Sequence, residues 1–275
     1  MNISEHIAQF KQEMKRRNYS DNSIENYSSC LSVFFGQSTK DHPKNINESD
    51  IKEFLLKPKQ VNTQRNYHSA IKKFYEICLH QKDKFKYIPY AKKSQKLPIV
   101  LSQDEIQKMF DVCDNLKHKV ILSILYSCGL RVSELVNLKW VDIDRSRMVI
   151  NIIQAKGGKD RQVMLCENII PLLEKYWKEY KSKEYVLNGQ NSLQYSDRSI
   201  GEVVKSLAKK AGINKRVYSH LMRHCSFTHL VENGTDINLI QRLAGHSSVK
   251  TTAIYTHISH NIISKINSPL NNIKL

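Results

Sequence analysis

Residues 81–100, "QKDKFKYIPYAKKSQKLPIV", set the first limit on how this chain can fold. Pro89 and Pro98 interrupt any helix, because proline lacks the amide donor and clashes with the preceding turn. Six lysines face a single aspartate over the same stretch. A chain of 275 residues divided here holds two modest domains. We expect a helical domain over residues 1–82, a basic linker over 83–99 and a larger domain over 100–275. The linker reads either as a solvated tether or as a basic strap lying on phosphates, and the basicity of the rest of the chain favours the strap.

The part before the linker has helical spacing throughout. Ile3, Ile7, Phe10 and Met14 fall on one face, and Ile24, Tyr27, Leu31 and Phe34 on another. "NESDIKEFLL" gives a third, short helix. A fourth carries Tyr67, Ile71, Phe74 and Ile77 on one side and Arg65, Lys72 and Lys73 on the other. Four such helices make a small bundle. Beyond the linker, Ser102 and Glu105 have capping-box spacing and predict a helix start. "KVILSILYSC" is apolar enough for a buried helix, and a new helix is expected after Gly129. "RMVINII" and "AKGGKDRQVML" alternate like strands, with Gly157-Gly158 as the turn. The remainder is helical to the end. The expected fold is therefore mainly α, an N-terminal four-helix domain followed by a mainly helical domain with a small antiparallel β-sheet.

Charge narrows the partner. Forty-three Lys and Arg against 26 Asp and Glu leave +17, an excess that favours a polyanion, nucleic acid first. No run of about eighteen apolar residues is present, which argues against a membrane span. The N-terminus "MNISEHIAQFKQEMKRR" has no apolar signal core. The six scattered cysteines form no CxxC pair and read as reduced thiols in a cytoplasmic protein.

The second domain carries the groups that can do chemistry. Arg131 follows Gly-Leu at a helix start, and Lys156 precedes the Gly-Gly turn. His220 and Arg223, three apart, share a helix face, and His246 follows Gly245. Tyr255 stands in "AGHSSVKTTAIYTH". Two guanidinium forks can hold one phosphate, lysine and histidine can carry protons, and a tyrosine hydroxyl can attack as a nucleophile. Taken singly, each has an ordinary reading: a solvated arginine, or a tyrosine packed with its hydroxyl wet. His220 and His224 have the spacing of a zinc-binding HExxH helix, but Leu221 stands where its glutamate would be, and no metal is expected. No phosphate-binding glycine loop is found, and no cofactor is expected.

Taken together, "SCGLRVSELVNLKWVDID", "AKGGKDRQVML" and "SHLMRHCSFTHLVENGTDINLIQRLAGHSSVKTTAIYTH" resemble the tyrosine recombinase (phage integrase) family, most of all its short two-domain, chromosome-dimer-resolving Xer-type members. The blocks occur in family order: arginine in G-x-R-x-x-E-L, hairpin lysine, H-x-x-R, a G-H box, and a tyrosine nine residues after that histidine. Met222 and Ala244 stand where leucine is usual, at apolar positions. The resemblance implies that Arg131 and Arg223 clamp a scissile phosphate and that Lys156 protonates the leaving 5′ oxygen. His220 assists proton transfer, His246 hydrogen-bonds the phosphate, and Tyr255 forms a 3′-phosphotyrosyl link. Glu134 would orient Arg131. Arg65 is the candidate groove contact, and Lys72, Lys73, Lys92 and Lys93 are candidate phosphate contacts.

Double-stranded DNA with paired inverted half-sites is the implied partner. A homo-tetramer, or a hetero-tetramer with a second recombinase, would act on it. After Tyr255, an isoleucine stripe (Ile258, Ile262, Ile263, Ile266) docks either on its own domain or on a neighbouring protomer. Dimer resolution is the implied role. Integration or excision of a mobile element, a type IB topoisomerase-like nicking-closing activity, and a silent DNA-binding protein remain the alternatives.

Overall fold

The computed structural model describes residues 2–92, 99–153, 160–190, 192–245 and Thr252. The chain divides into two compact units, Met1–Lys96 and Leu97–Leu275.

The first unit holds α1 (Ile3–Arg16), α2 (Asp21–Gly36), α3 (Glu48–Leu56) and α4 (Val61–Ile77). Three of the helices have side-chain N-caps, with reciprocal capping boxes at Asn2/Glu5 and Asn47/Asp50 and a serine cap at Ser20. The predicted apolar stripes form the core: Phe10, Met14, Leu31, Ile71 and Phe74 are fully buried, and Tyr27 and Tyr67 pack against them at the edge. An aromatic cluster closes the centre, with Phe74 in edge contact with Phe35 at 5.1 Å between centroids. The chain then folds back on α4. Phe85 and Ile88, inside the stretch read from sequence as linker, belong to this core. His68 of α4 bonds the Ile88 carbonyl at 2.8 Å and lies against the Tyr90 ring.

The second unit contains α5 (Gln103–Asp111), α6 (Leu116–Ser127), α7 (Val132–Val136), β1 (Ile143–Asp144), β2 (Val149–Ile152), β3 (Arg161–Met164), α8 (Ile170–Tyr180), α9 (Asp197–Lys210), α10 (Ser219–Glu232) and α11 (Ile237–Ala244). The Ser102/Glu105 capping box forms at the start of α5, as the spacing predicts. The helix expected after Gly129 is shorter than its sequence suggests: α7 ends at Val136, and the chain passes through a 3₁₀ turn at Trp140–Asp142 into β1. The sheet is three-stranded and antiparallel in the order β1-β2-β3, with Ile150 opposite Val163 and Ile152 opposite Arg161. The Gly157-Gly158 turn lies outside the described residues.

Two helices form the centre of this unit. In α6, Val120, Ile121, Leu122, Ile124 and Leu125 are all buried. In α10 burial runs around most of the helix, from Leu221 and Met222 to Phe227, Thr228 and Val231. A helix buried around most of its circumference carries a charge on those faces into the interior. Helix α11 packs on α10 and on β3.

Candidate active site

Arg223 is carried into the protein by α10 and is completely buried. A buried guanidinium requires acceptors and a favourable neighbour. Its Nη1 donates to the Gly129 carbonyl and its Nη2 to the Ala244 carbonyl. Its Cζ lies 4.7 Å from the centroid of the Phe227 ring, a cation–π contact within α10. Gly129 has a left-handed φ of +59°, and a Cβ there would meet the Phe227 ring at 2.7 Å, so only glycine fits this turn.

Arg131 precedes α7. Its Nη2 donates to the same Ala244 carbonyl at 3.3 Å, so the two arginines converge on one oxygen. The carbonyls of Leu243 and Ala244 end α11, where backbone acceptors have no partner within the helix and the dipole is negative. Gly245 caps this end at φ +59°. Unlike Arg223, Arg131 keeps 22 % of its side chain exposed, beside a cleft of about 570 Å³ lined also by Lys139, Asn151 and Tyr185.

Glu134 accepts from both the backbone amide and the guanidinium of Arg131, at 2.8 and 2.7 Å. Burial alone would raise its pKa. The hydrogen bonds and charges of Arg161 and Arg131 outweigh that and bring it down to about 2.

The second donor, Arg161, was not singled out from the sequence. It reaches Glu134 through two parallel bonds, Nη1 to Oε1 and Nη2 to Oε2, both at 2.7 Å, and its Nε donates to the Leu243 carbonyl at 2.8 Å. The signal was strand alternation. Arg161 shares a face of β3 with the buried Val163, and a charge on an inward face must have a partner.

His220, one turn before Arg223, keeps an open edge and stands in edge contact with the His224 ring at 4.6 Å. Desolvation by the surrounding protein, and then the charges of Arg223 and Arg131, hold its imidazole below the ordinary value of 6.5. At neutral pH it is therefore uncharged and can take or give one proton. Among the described residues no group of three or more His, Cys, Asp or Glu could hold a metal ion. No described helix is long and apolar enough to cross a membrane. Lys156, His246 and Tyr255 lie outside the described residues, as do Ile258, Ile262, Ile263, Ile266 and Lys93.

Of the candidate DNA contacts, Lys92 is exposed and Lys72 and Lys73 are half-buried, both near Glu76. Arg65, read from sequence as lying on an exposed side, is half-buried. The returning chain takes its Nη1 as donor to the Ala91 carbonyl at 2.7 Å and sets the Tyr90 ring under its guanidinium at 4.9 Å.

Known proteins contain both units. Residues 100–261 match the phage integrase family, and residues 7–83 match the phage integrase N-terminal SAM-like domain. Tyrosine recombinase XerD of Oceanobacillus iheyensis is 32% identical over 270 residues, covering 88% of this chain and 90% of that protein. Tyrosine recombinase XerA of Pyrococcus horikoshii is 32% identical over 266 residues, covering 93% and 90%. The crystal structure of XerH site-specific recombinase bound to difH substrate, a pre-cleavage complex, superposes with a TM-score of 0.72 at 25% identity, over 94% of this chain and 83% of that one. Family blocks, full-length relatives and shared fold agree: this chain belongs to the phage integrase family and is an Xer-type tyrosine recombinase, a DNA strand transferase of site-specific recombination.

Proposed function

We propose that this recombinase cuts and rejoins DNA through a 3′-phosphotyrosyl intermediate. The observation that carries the reading is the meeting of Arg131 and Arg223 on one carbonyl oxygen, with His220 close enough for both charges to depress its pKa. In the attack, the Tyr255 oxygen bonds to phosphorus, the bond from phosphorus to the 5′ oxygen breaks, and the tyrosine gives up its proton. Lys156 supplies a proton to the departing 5′ oxygen. Arg131 and Arg223 stabilise the charge that builds on the non-bridging oxygens, His220 assists proton transfer, and His246 hydrogen-bonds the phosphate. Religation reverses these steps and needs no external energy, because the phosphotyrosyl bond conserves that of the cut strand.

The same reading divides the chain into a core-binding domain that takes in 1–82 together with Phe85 and Ile88 of the stretch 83–99 read from sequence as a linker, and a catalytic domain over 100–275. Lys72, Lys73, Lys92 and Lys93 would contact phosphates. Arg65 would reach a groove only with donors other than the Nη1 that holds Ala91. A cyclic tetramer, of this chain alone or with a second recombinase, would act on paired inverted half-sites, with the isoleucine stripe seated on the neighbouring protomer. Similarity to XerD and XerA supports dimer resolution as the role.

Nicked suicide DNA, in which the cut strand cannot be resealed, tests the chemistry. The parent protein should accumulate a covalent adduct and the Tyr255→Phe variant none. An adduct that survives Tyr255→Phe refutes the mechanism. With two-site DNA, exchanged products support recombination, and relaxation alone indicates a nicking-closing enzyme. Footprinting should show two inverted half-sites around a short spacer.

A further inference from the structure

Arg161 is tied to three parts of the second unit. It starts β3, it grips both oxygens of Glu134, and it holds the last turn of α11 through Leu243. Its Cδ approaches Gly245 so closely that a Cβ there would lie 3.0 Å away. Only 7 % of its side chain is exposed. Glu134 in turn holds Arg131, so its two oxygens accept four donors, two from each arginine, which fills a carboxylate's lone pairs.

The fold itself has little need of this charge. An apolar side chain at position 161 would pack the inward face of β3 as Val163 does. Buried ion pairs are often no better for stability than apolar residues of similar size. What a forked, two-point pair does supply is fixed orientation. Without Arg161, Glu134 could turn about its own side-chain bonds and Arg131 would lose its fixed anchor. The end of α11, from which the chain runs on to His246 and Tyr255, would lose one of its three arginine bonds.

We propose that Arg161 is a positioning residue for strand cleavage, orienting Arg131 through the shared Glu134 carboxylate and fixing the end of α11. This rests on the reading of Arg131 and Tyr255 as phosphate clamp and nucleophile. The step tested is bond formation between the Tyr255 oxygen and phosphorus with loss of the 5′ oxygen, in which Arg161 is assigned no contact with the reacting atoms.

The test is single-turnover cleavage of nicked suicide DNA at saturating full-length protein, with DNA affinity and thermal midpoint measured on the same samples. Arg161→Gln should slow adduct formation about 100-fold, the scale of losing one transition-state donor, with affinity changed less than about threefold. Arg161→Lys, which keeps the charge but not the fork, should recover about tenfold of that loss. The paired variant Arg161→Met with Glu134→Gln removes both charges of that pair, so its midpoint should lie above that of Arg161→Gln and it should still cleave slowly. A paired variant that folds and cleaves at the parent rate overturns the proposal. So does a rate loss matched by an equal loss of affinity, and so does failure of all three variants to fold, which would assign Arg161 to stability. Arg131→Ala and Tyr255→Phe separate the two claims. If either cleaves at the parent rate, the underlying reading fails and takes this one with it. If both are inactive while Arg161→Gln is not slowed, this proposal alone fails.

Discussion

A carboxylate held by two arginines does not titrate like an ordinary glutamate. With its pKa brought down to about 2 in the folded chain, Glu134 binds a proton less readily there than in the unfolded chain. Its contribution is therefore complete above the unfolded value, near 4.5, and is lost as pH falls through the folded value near 2. The difference is worth roughly 3 kcal/mol. Both tryptophans, Trp140 and Trp177, lie in the second unit, so their fluorescence reports its unfolding alone. Urea midpoints of parent and Glu134→Gln should differ by a constant amount above pH 5 and converge as pH falls toward 3. A gap that stays constant down to pH 3 would contradict this assignment of the charge. His220 makes the complementary case. Its imidazole titrates below 6.5 in the free protein because the protein desolvates it and two arginines oppose a third positive charge. A bound phosphodiester offsets that repulsion, so its pKa, followed by NMR of the ring protons, should rise on adding DNA. An unmoved pKa would place the phosphate elsewhere.

At the scale of elements, periodicity was enough where one face is buried and the other wet. The stripes of α1, α2 and α4 are of this kind, and the capping residues at Ser102 and Glu105 marked a boundary directly. It said less about α10, which is buried around most of its circumference and whose Arg223 serves acceptors elsewhere in the chain. The Arg131–Glu134 contact was legible because the two are three apart, whereas Arg161 lies 27 residues from Glu134 and only tertiary structure joins them. Arg65 misled for a related reason: an arginine on a polar helix face looks free until the returning chain covers it. The two glycines of the site make a sharper claim about elements. Gly129→Ala forces a left-handed alanine and drives its Cβ into Phe227, and the same turn carries the carbonyl that holds Arg223. It should destabilise the second unit by about 2 kcal/mol or more. Gly245→Ala puts a left-handed alanine Cβ 3.0 Å from the Arg161 Cδ, a looser contact than the one at Phe227, and should cost about 1 kcal/mol. Tryptophan-detected urea unfolding orders the two, and equal or reversed effects would count against the packing described around Phe227.

At the scale of the whole molecule, each unit has its own core, the first around Phe10, Phe35 and Phe74 and the second around α6 and α10. Among the described residues each core is built from its own unit's side chains, so each unit should fold alone. A fragment of residues 1–92 keeps Phe85 and Ile88, which a cut at 82 would remove from the first core. It should melt cooperatively by circular dichroism, while a fragment ending at 82 should be less stable. The excess of +17 is carried by the chain as a whole, and phosphate contacts release counterions in proportion to their number. If both units grip DNA, the dependence of log affinity on log salt must be steeper for the intact chain than for either fragment, approaching the sum of their slopes. A slope for the intact chain equal to that of residues 99–275 alone would show that the first unit adds no phosphate contacts. Lys72, Lys73 and Lys92 would then be solvated surface charges, and the grip on the phosphates would rest with the second unit.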